Sequence, residues 1–427
     1  VNSLLRIPYA AAWTAFREIA SHVPPGASKV RRLLSGRTGL IARYEKWGAS
    51  GRDPQRKLLW MHAPSVGEGL QALPVLQLIR ARRPDVQIAY TFFSPSAEQF
   101  ARGLAADFAD YLPFDIAGDA DRAVSALRPN ALVYSKLDIW PTITETVAAR
   151  GVKLGVISAT LPGGSQRSGI VGRELLGDAY RAIDLVGAIS AGDAGRFEAH
   201  GVSPERIRVT GDTRYDQVWD RAKRSSELPV VRTLRSDRPT LIAGSTWPSD
   251  ERRLLPAWRE VARRIPKARL IIAPHESSDT HTRALLVWAK AAGFTAARID
   301  EASADTDVIV VDRNGILGDL YADGHAAYVG GGFHRAGLHS VLEPAAFGVP
   351  VLFGPQNSRS PDAKPLAAAG GGVEVSSQAE IFESIVRFLE SSVERDSAGE
   401  KAMAFVRRGL GAAERSYELV SELLDRS

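Results

Sequence analysis

The pattern that most restricts the fold occurs twice: short apolar runs alternate with helical stretches, and the alternation restarts after a charged interval. The first set of candidate strands is Leu58–His62, Val86–Thr91, Ala131–Tyr134, Leu154–Ser158, Leu185–Ile189 and Ile207–Thr210. A charged stretch from Asp220 to Arg238 follows. The second set is Thr240–Ala243, Leu270–Ala273, Val308–Val311, Ala326–Val329 and Val349–Phe353. Strands separated by helices are joined by crossovers, so each set predicts a parallel sheet covered by helices on both faces. Pro350 sits inside the last run and cannot donate to a ladder, which counts against a strand there. The expected chain is α/β, with a basic segment at 1–56, one domain at 57–214, a linker at 215–238, a second domain at 239–405 and a C-terminal helix at 406–427. Ligands of such sheets bind beyond the carboxyl ends of the strands, so the cleft between two such domains is the expected site.

Composition removes several alternatives. The chain has 427 residues and no cysteine, which excludes a disulfide scaffold, a thiolate metal site and a cysteine nucleophile. The longest run without Lys, Arg, Asp or Glu is the fifteen residues Pro344–Ser358, which contain three prolines. A bilayer span needs about 20 apolar residues, so no conventional transmembrane helix is expected. The net charge of +5 divides unevenly: residues 1 to 60 carry eleven basic and three acidic side chains, while the remainder is slightly acidic. A basic block suggests an anionic surface, lipid or nucleic acid.

The segment itself favours lipid. Leu4, Leu5, Ile7, Ala11, Ala12, Trp13, Ala15, Phe16, Ile19 and Ala20 supply an apolar face, with Tyr9 and Trp13 suited to the headgroup level of an interfacial helix. The alternative is an amphipathic helix packed on its own domain. No apolar stretch leads to a small-residue cleavage site, so a secretory signal is not expected. No helix-turn-helix, zinc-knuckle or RNP pattern follows the basic block, so nucleic acid is not an expected partner.

Two stretches carry chemistry. In Ala63-Pro64-Ser65-Val66-Gly67-Glu68-Gly69, Gly67-x-Gly69-x-x-Ala72 imitates a dinucleotide fingerprint, but the next strand ends Tyr90-Thr91-Phe92-Phe93 without the acid that holds a ribose. Ser65-x-x-Glu68 reads as a capping box. It reads equally as a carboxylate at a helix N-terminus, placed to accept a proton. The second stretch ends a strand in Gly330-Gly331-Gly332 and continues to Leu338-His339-Ser340-Val341-Leu342-Glu343. Glycines admit a ligand close to the backbone, a helix start near Ser340 offers amides to a phosphate, and Glu343 can accept from a ribose diol. Tight glycine packing and a second capping box, Ser340-x-x-Glu343, are the competing account.

Other templates fail: there is no Walker A sequence, no G-x-S-x-G elbow and no H-E-x-x-H. The eight histidines show no metal-ligand spacing, so no metal is expected. Arg214, in Thr210-Gly211-Asp212-Thr213-Arg214-Tyr215-Asp216, is a candidate for compensating a leaving phosphate, with a surface salt bridge as the alternative.

Ser65-Val66-Gly67-Glu68 after a His-containing strand, Trp140-Pro141, Thr210-Gly211-x-x-x-x-Asp216 and the glycine stretch running to His339-x-x-Leu342-Glu343-Pro344 resemble the Kdo transferases, which move 3-deoxy-D-manno-octulosonic acid (Kdo) onto lipid A precursors. The similarity runs in order along nearly the whole chain. The resemblance implies a GT-B fold of two facing Rossmann-like domains, a CMP-Kdo donor, a lipid A-type acceptor in lipopolysaccharide biosynthesis, and inverting transfer without a metal or other cofactor. It also implies a peripheral position on the cytoplasmic face of the inner membrane. Carried over by position, Glu68 becomes the general base, with Ser65, Gly67, Lys136 and Asp138 toward the acceptor or the sugar. Glu343 holds the CMP ribose; Gly330, Gly331, Gly332, His339 and Ser340 face its phosphate, with Ser245, His275 and Arg214 as further donor contacts.

The sequence departs from the family at four of these places. Lys136 stands for one of two acids, Thr160 and Pro274 each for an arginine, and Ser340 for an asparagine. Two alternatives therefore stay open: a GT-B transferase with another nucleotide sugar or acceptor, and a non-catalytic homologue.

Overall fold

In a computed structural model, residues 3–24, 26, 28–161, 170–225 and 227–427 are described. The chain divides into two compact units, Val1–Gln217 with Gly411–Ser427, and Val218–Leu410.

The first unit holds seven parallel strands: β1 (Lys57–His62), β2 (Val86–Phe92), β3 (Phe108–Tyr111), β4 (Ala131–Ser135), β5 (Lys153–Ala159), β6 (Leu185–Ala188) and β7 (Ile207–Val209), in the order β3-β2-β1-β4-β5-β6-β7. Strands covered on both faces read as unbroken apolar runs, and Leu58, Leu59, Trp60 and Met61 of β1 are all fully buried. The order reverses between β1 and β4. A crevice opens at the carboxyl ends of strands at such a switch point, because the following loops turn to opposite faces.

The second unit repeats the scheme with β8 (Thr240–Thr246), β9 (Arg269–Pro274), β10 (Ala296–Arg298), β11 (Val308–Val310), β12 (Ala326–Val329), β13 (Val351–Phe353) and β14 (Gly372–Glu374), in the order β10-β11-β9-β8-β12-β13-β14. Alternate residues serve opposite faces. Leu241, Ala243, Leu270 and Ile272 join the core around Trp258 and Phe388. Ile242, Ile271 and Ala273 join the one around Leu320 and Tyr321. The switch here lies between β8 and β12.

Three strands escaped the sequence reading, β3, β10 and β14, and all three are sheet edges. An edge strand is covered on fewer sides, so its run is short and mixed, as in the Phe-Ala-Asp-Tyr of β3. Pro350 precedes β13, and only its carbonyl enters the ladder, accepting from Ala327. The stretch 215–238 carries the helices Arg214–Ser225 and Pro229–Leu234. Of the last residues, Ala412–Asp425 form a helix whose Leu419, Val420, Leu423 and Leu424 are buried in the core of the first unit.

The N-terminal segment forms α1 (Ser3–His22), α2 (Lys29–Ser35) and α3 (Leu40–Ser50). Its apolar residues fall into two stripes. Trp13, Phe16 and Ala20 turn inward with Phe114 and Ile116, and Trp13 meets Trp140 edge-on at 5.3 Å. Tyr9 donates to the buried Asp115 at 2.6 Å. Tyr9 and Trp13 are therefore domain contacts rather than headgroup anchors, because a buried carboxylate and an aromatic cluster already satisfy them. The other stripe, Ile7, Ala11, Ala12, Ala15 and Ile19, is exposed, with Ile7 at 74% and Ile19 at 58%. Among the described residues no helix is long and apolar enough to cross a membrane.

Candidate active site

In the first unit the loop after β1 leads into α4 (Val66–Arg82). Ser65 is the N-cap and accepts from the Gly67 amide at 3.2 Å. Glu68, one turn in, does not complete the capping box. Its carboxylate instead accepts from the Ser65 hydroxyl and from the Lys136 ammonium at 3.4 Å. The backbone there is pinned by Ser135, whose hydroxyl donates to the Glu68 carbonyl at 2.9 Å. Lys136 follows β4 in a left-handed conformation, φ 74°, a strain that clusters at functional sites. Gly67 has room around it, with nothing nearer than 3.8 Å to an added Cβ. At Gly69 a Cβ would lie 2.5 Å from the Phe100 ring. The dinucleotide-like glycine pair is thus a cap and a packing contact.

The carboxyl end of β1 also carries a polar chain whose links no sequence spacing signals. His62 is fully buried, and its Nδ1 lies 3.0 Å from the Thr91 carbonyl, which can only accept. That places the proton on Nδ1 and leaves Nε2 to accept from the Trp140 indole at 3.3 Å. The same indole donates to Asp138 at 3.1 Å. Asp138 is therefore tied to the switch point through Trp140. Tyr90 also lies here, its buried hydroxyl without a described partner and pushed up by burial and by the charge of Glu68.

In the second unit the loops after β8, β9 and β12 converge. β8 bulges between Gly244 and Thr246, with Ser245 at φ 54°. The Gly330 α-carbon lies so near that bulge that a Cβ would be 2.2 Å from the Ser245 carbonyl, and one on Gly331 would be 2.2 Å from the Gly337 carbonyl. The organiser is Asp250, fully buried. It accepts from the amides of Trp247 at 2.9 Å, Gly331 at 2.9 Å and Phe333 at 3.2 Å, and from the Tyr328 hydroxyl at 3.2 Å. The Gly330 amide donates to Gly244. This corrects the expectation for Gly330 and Gly331: their amides are consumed inside the turn and do not face a phosphate.

The helix that follows runs Leu342–Ala346, with Val341 at its N-cap and no side-chain cap. It starts two residues later than expected, so the Ser340-x-x-Glu343 box does not form. The amides of Ser340 and Val341 donate to no acceptor among the described residues. Glu343 likewise has no hydrogen bond there. Burial raises its carboxyl above the usual range, opposed by Arg221, which is itself paired to Asp319 at 2.7 Å.

An aromatic stack that no spacing signals completes this half. The Trp247 indole stacks on His334, at 3.9 Å and 10°, and on His275, at 4.4 Å and 22°. His339 tilts against His275 at 4.6 Å, and its Nε2 accepts from the Trp247 indole at 3.4 Å. Burial, then the neighbouring His275, pushes the His339 imidazole down to about 4. Burial also lowers His275. Among the described residues no group of three or more His, Asp or Glu is placed to hold a metal.

Arg214 does not join either half as a free cation. It pairs with Asp212 at 2.7 Å, the salt-bridge alternative. Asp216 of the same motif accepts from the Gly411 and Ala413 amides at the start of the final helix. Ser65, Gly67, Glu68, Lys136 and Asp138 thus gather at the first switch point, and Ser245, His275, Gly330–Gly332, His339, Ser340 and Glu343 at the second.

A family profile described as 3-deoxy-D-manno-octulosonic-acid transferase (kdotransferase) matches residues 36–217. The chain is 27% identical to the 3-deoxy-D-manno-octulosonic acid transferase of Haemophilus influenzae over 399 residues, 92% of each chain. It is 28% identical to that of Chlamydophila psittaci over 394 residues, covering 89% of this chain and 88% of the other. Among solved structures, UDP-GlcNAc 2-epimerase from Neisseria meningitidis bound to UDP-GlcNAc superposes with a TM-score of 0.62 at 14% identity, covering 87% of this chain and all of that one. The Methanocaldococcus jannaschii epimerase gives 0.57 at 12%, over 82% and 99% of the two chains. These likenesses show the fold alone, a GT-B-like pair of Rossmann-type units.

Proposed function

We propose that the chain, similar over most of its length to 3-deoxy-D-manno-octulosonic acid transferases, is a member of that family and an inverting glycosyltransferase that moves Kdo from CMP-Kdo to a lipid A-type acceptor. The observation that carries this reading is Glu68, whose carboxylate is held at a switch point between the Ser65 hydroxyl and Lys136. An acceptor hydroxyl attacks the anomeric carbon of Kdo, the bond to the CMP phosphate breaks, and the hydroxyl proton passes to Glu68. CMP leaves with the bonding electron pair. The free Ser340 and Val341 amides bear on its phosphate, aligned because the His339 amide is tied to the Gly330 carbonyl at 3.1 Å. Glu343 has unoccupied acceptor capacity for a ribose diol.

The acceptor is amphiphilic, and the exposed stripe of α1, with basic residues of α2 alongside, supports a peripheral place on the cytoplasmic face of the inner membrane. With CMP-Kdo and a lipid A precursor, the protein is expected to release CMP. Losing a general base typically costs about 10²–10⁴-fold in turnover, so Glu68→Ala should fall by that factor while retaining its melting temperature. Unchanged turnover would remove Glu68 from the mechanism. A thermal-shift panel of CMP-, UDP- and GDP-sugars tests the donor, since only a bound ligand raises the melting temperature.

A further inference from the structure

The first unit contains a cavity of about 330 Å³ between α1, the start of α3 and the helix Ala117–Leu127. Glu68 does not line it. Three arginines do, Arg17, Arg37 and Arg122, against one carboxylate, Asp119. Arg17 reaches Asp119 at 3.2 Å, while Arg122 is drawn to Glu45 at 2.8 Å.

Two features of this cavity are unsatisfied. The first is the N-terminus of α3. Gly39, at φ 66°, brings the chain into the helix without a capping side chain, and the first turn has no acid. The Ile41 and Ala42 amides, both residues lining the cavity, donate to no acceptor among the described residues. Such amides and the helix dipole favour an anion.

The second is Arg37. It is only 4% exposed and lies over the Phe93 and Tyr111 rings at 4.4 and 4.5 Å. Its Nη atoms donate to the Leu33 and Phe93 carbonyls, its Nε has no partner, and no described carboxylate pairs with it. Burial pushes the guanidinium down to about 10. A buried cation is costly unless an anion compensates it.

We propose that this cavity binds a phosphate monoester, its oxygens on the Ile41 and Ala42 amides and its charge balanced by Arg17, Arg37 and Arg122. The site is separate from the transfer chemistry and does not depend on it. The same group is presented by a lipid headgroup or by soluble phosphate.

The discriminating variant is Ala42→Asp. Position 42 is exposed in the first turn, where a carboxylate complements the helix dipole, so folding is kept or improved while an anion is repelled. Inorganic phosphate titrated into the full chain should bind saturably, at least tenfold more weakly to Ala42→Asp, whose unliganded melting temperature stays at or above the parent's. Vesicles of phosphatidylcholine with and without phosphatidic acid separate the sources. A phosphatidate-dependent gain that Ala42→Asp loses assigns the site to headgroups. Phosphate binding that Ala42→Asp weakens, without such a gain, assigns it to a soluble phosphate. The proposal is overturned if the parent protein binds neither probe, or if Ala42→Asp binds both as well as the parent does.

Discussion

Replacing Asp250 tests whether the turn at the end of β12 is organised by one buried carboxylate. Asp250→Ala removes the acceptor for four donors. Two of them, the Gly331 amide and the Tyr328 hydroxyl, make fully buried bonds, whereas the bonds from Trp247 and Phe333 are partly buried and those amides can turn to water. A buried donor left without a partner costs about 1–3 kcal/mol, and bonds to a charged group lie at the upper end. Counting only the two buried donors gives a loss of about 3–6 kcal/mol. Asp250→Asn should fall between, because one oxygen survives, while the new amide confronts either the Trp247 and Gly331 N–H groups or, turned over, the Phe333 N–H and the Tyr328 hydroxyl. The assay is urea unfolding followed by tryptophan fluorescence, fitted with separate transitions because a chain of two units is not two-state. The loss should appear in one transition, and CMP protection should weaken with it, since Trp247 and Gly331 are both released. If Asp250→Ala lies within about 1 kcal/mol of the parent, the turn does not depend on this carboxylate and the reasoning fails.

Other substitutions have equally definite outcomes. Gly331→Ala combines a φ of 92° with a Cβ 2.2 Å from a backbone carbonyl and should cost more than about 2 kcal/mol, whereas Gly67→Ala, with open space in a helical turn, should be neutral or stabilising by up to ~1 kcal/mol in chemical denaturation. His339, near 4 when folded and about 6.5 when unfolded, leaves the unfolded chain binding the extra proton between those values. Stability is therefore full above pH 6.5 and drains as pH falls toward 4, by roughly 2–3 kcal/mol; His339→Gln should flatten that slope in unfolding curves taken across the interval. Tyr9→Phe removes one of three donors to Asp115 and should loosen α1 by about 1–2 kcal/mol, seen as faster proteolytic release of the first twenty residues; an unchanged cleavage rate would mean that α1 is held without this bond.

What could be read from the chain depended on how local the cause was. Central strands such as β1 and β8 are covered on both faces, and that leaves an apolar run in one continuous stretch. Edge strands leave little, so β3, β10 and β14 escaped, while β7, the remaining edge, was read from its Ile-Arg-Val run. Glu68 was legible because the helix start that displays it is written in adjacent residues. Its contact with Lys136 was not, because that distance depends on β1 and β4 being neighbours. The same limit hid the His334–Trp247–His275 stack, three rings from three loops with no shared spacing. It also let Gly330-Gly331 resemble a phosphate cradle, since the donor count changes only once Asp250, on a distant helix, is seen to take the Gly331 amide and the Gly244 carbonyl the Gly330 amide.

The helix Ala412–Asp425 gives the chain an order of assembly. The first unit keeps a place in its core for Leu419, Val420, Leu423 and Leu424, which the ribosome makes only after every residue of the second unit. Until then the hydrophobic face waiting for that helix is open, and Asp216 has no Gly411 or Ala413 amide to receive. The unit that carries Glu68 is thus begun first and finished last, so removing a few residues from the end of this sequence would damage the half whose remaining residues lie farthest from the cut along the chain.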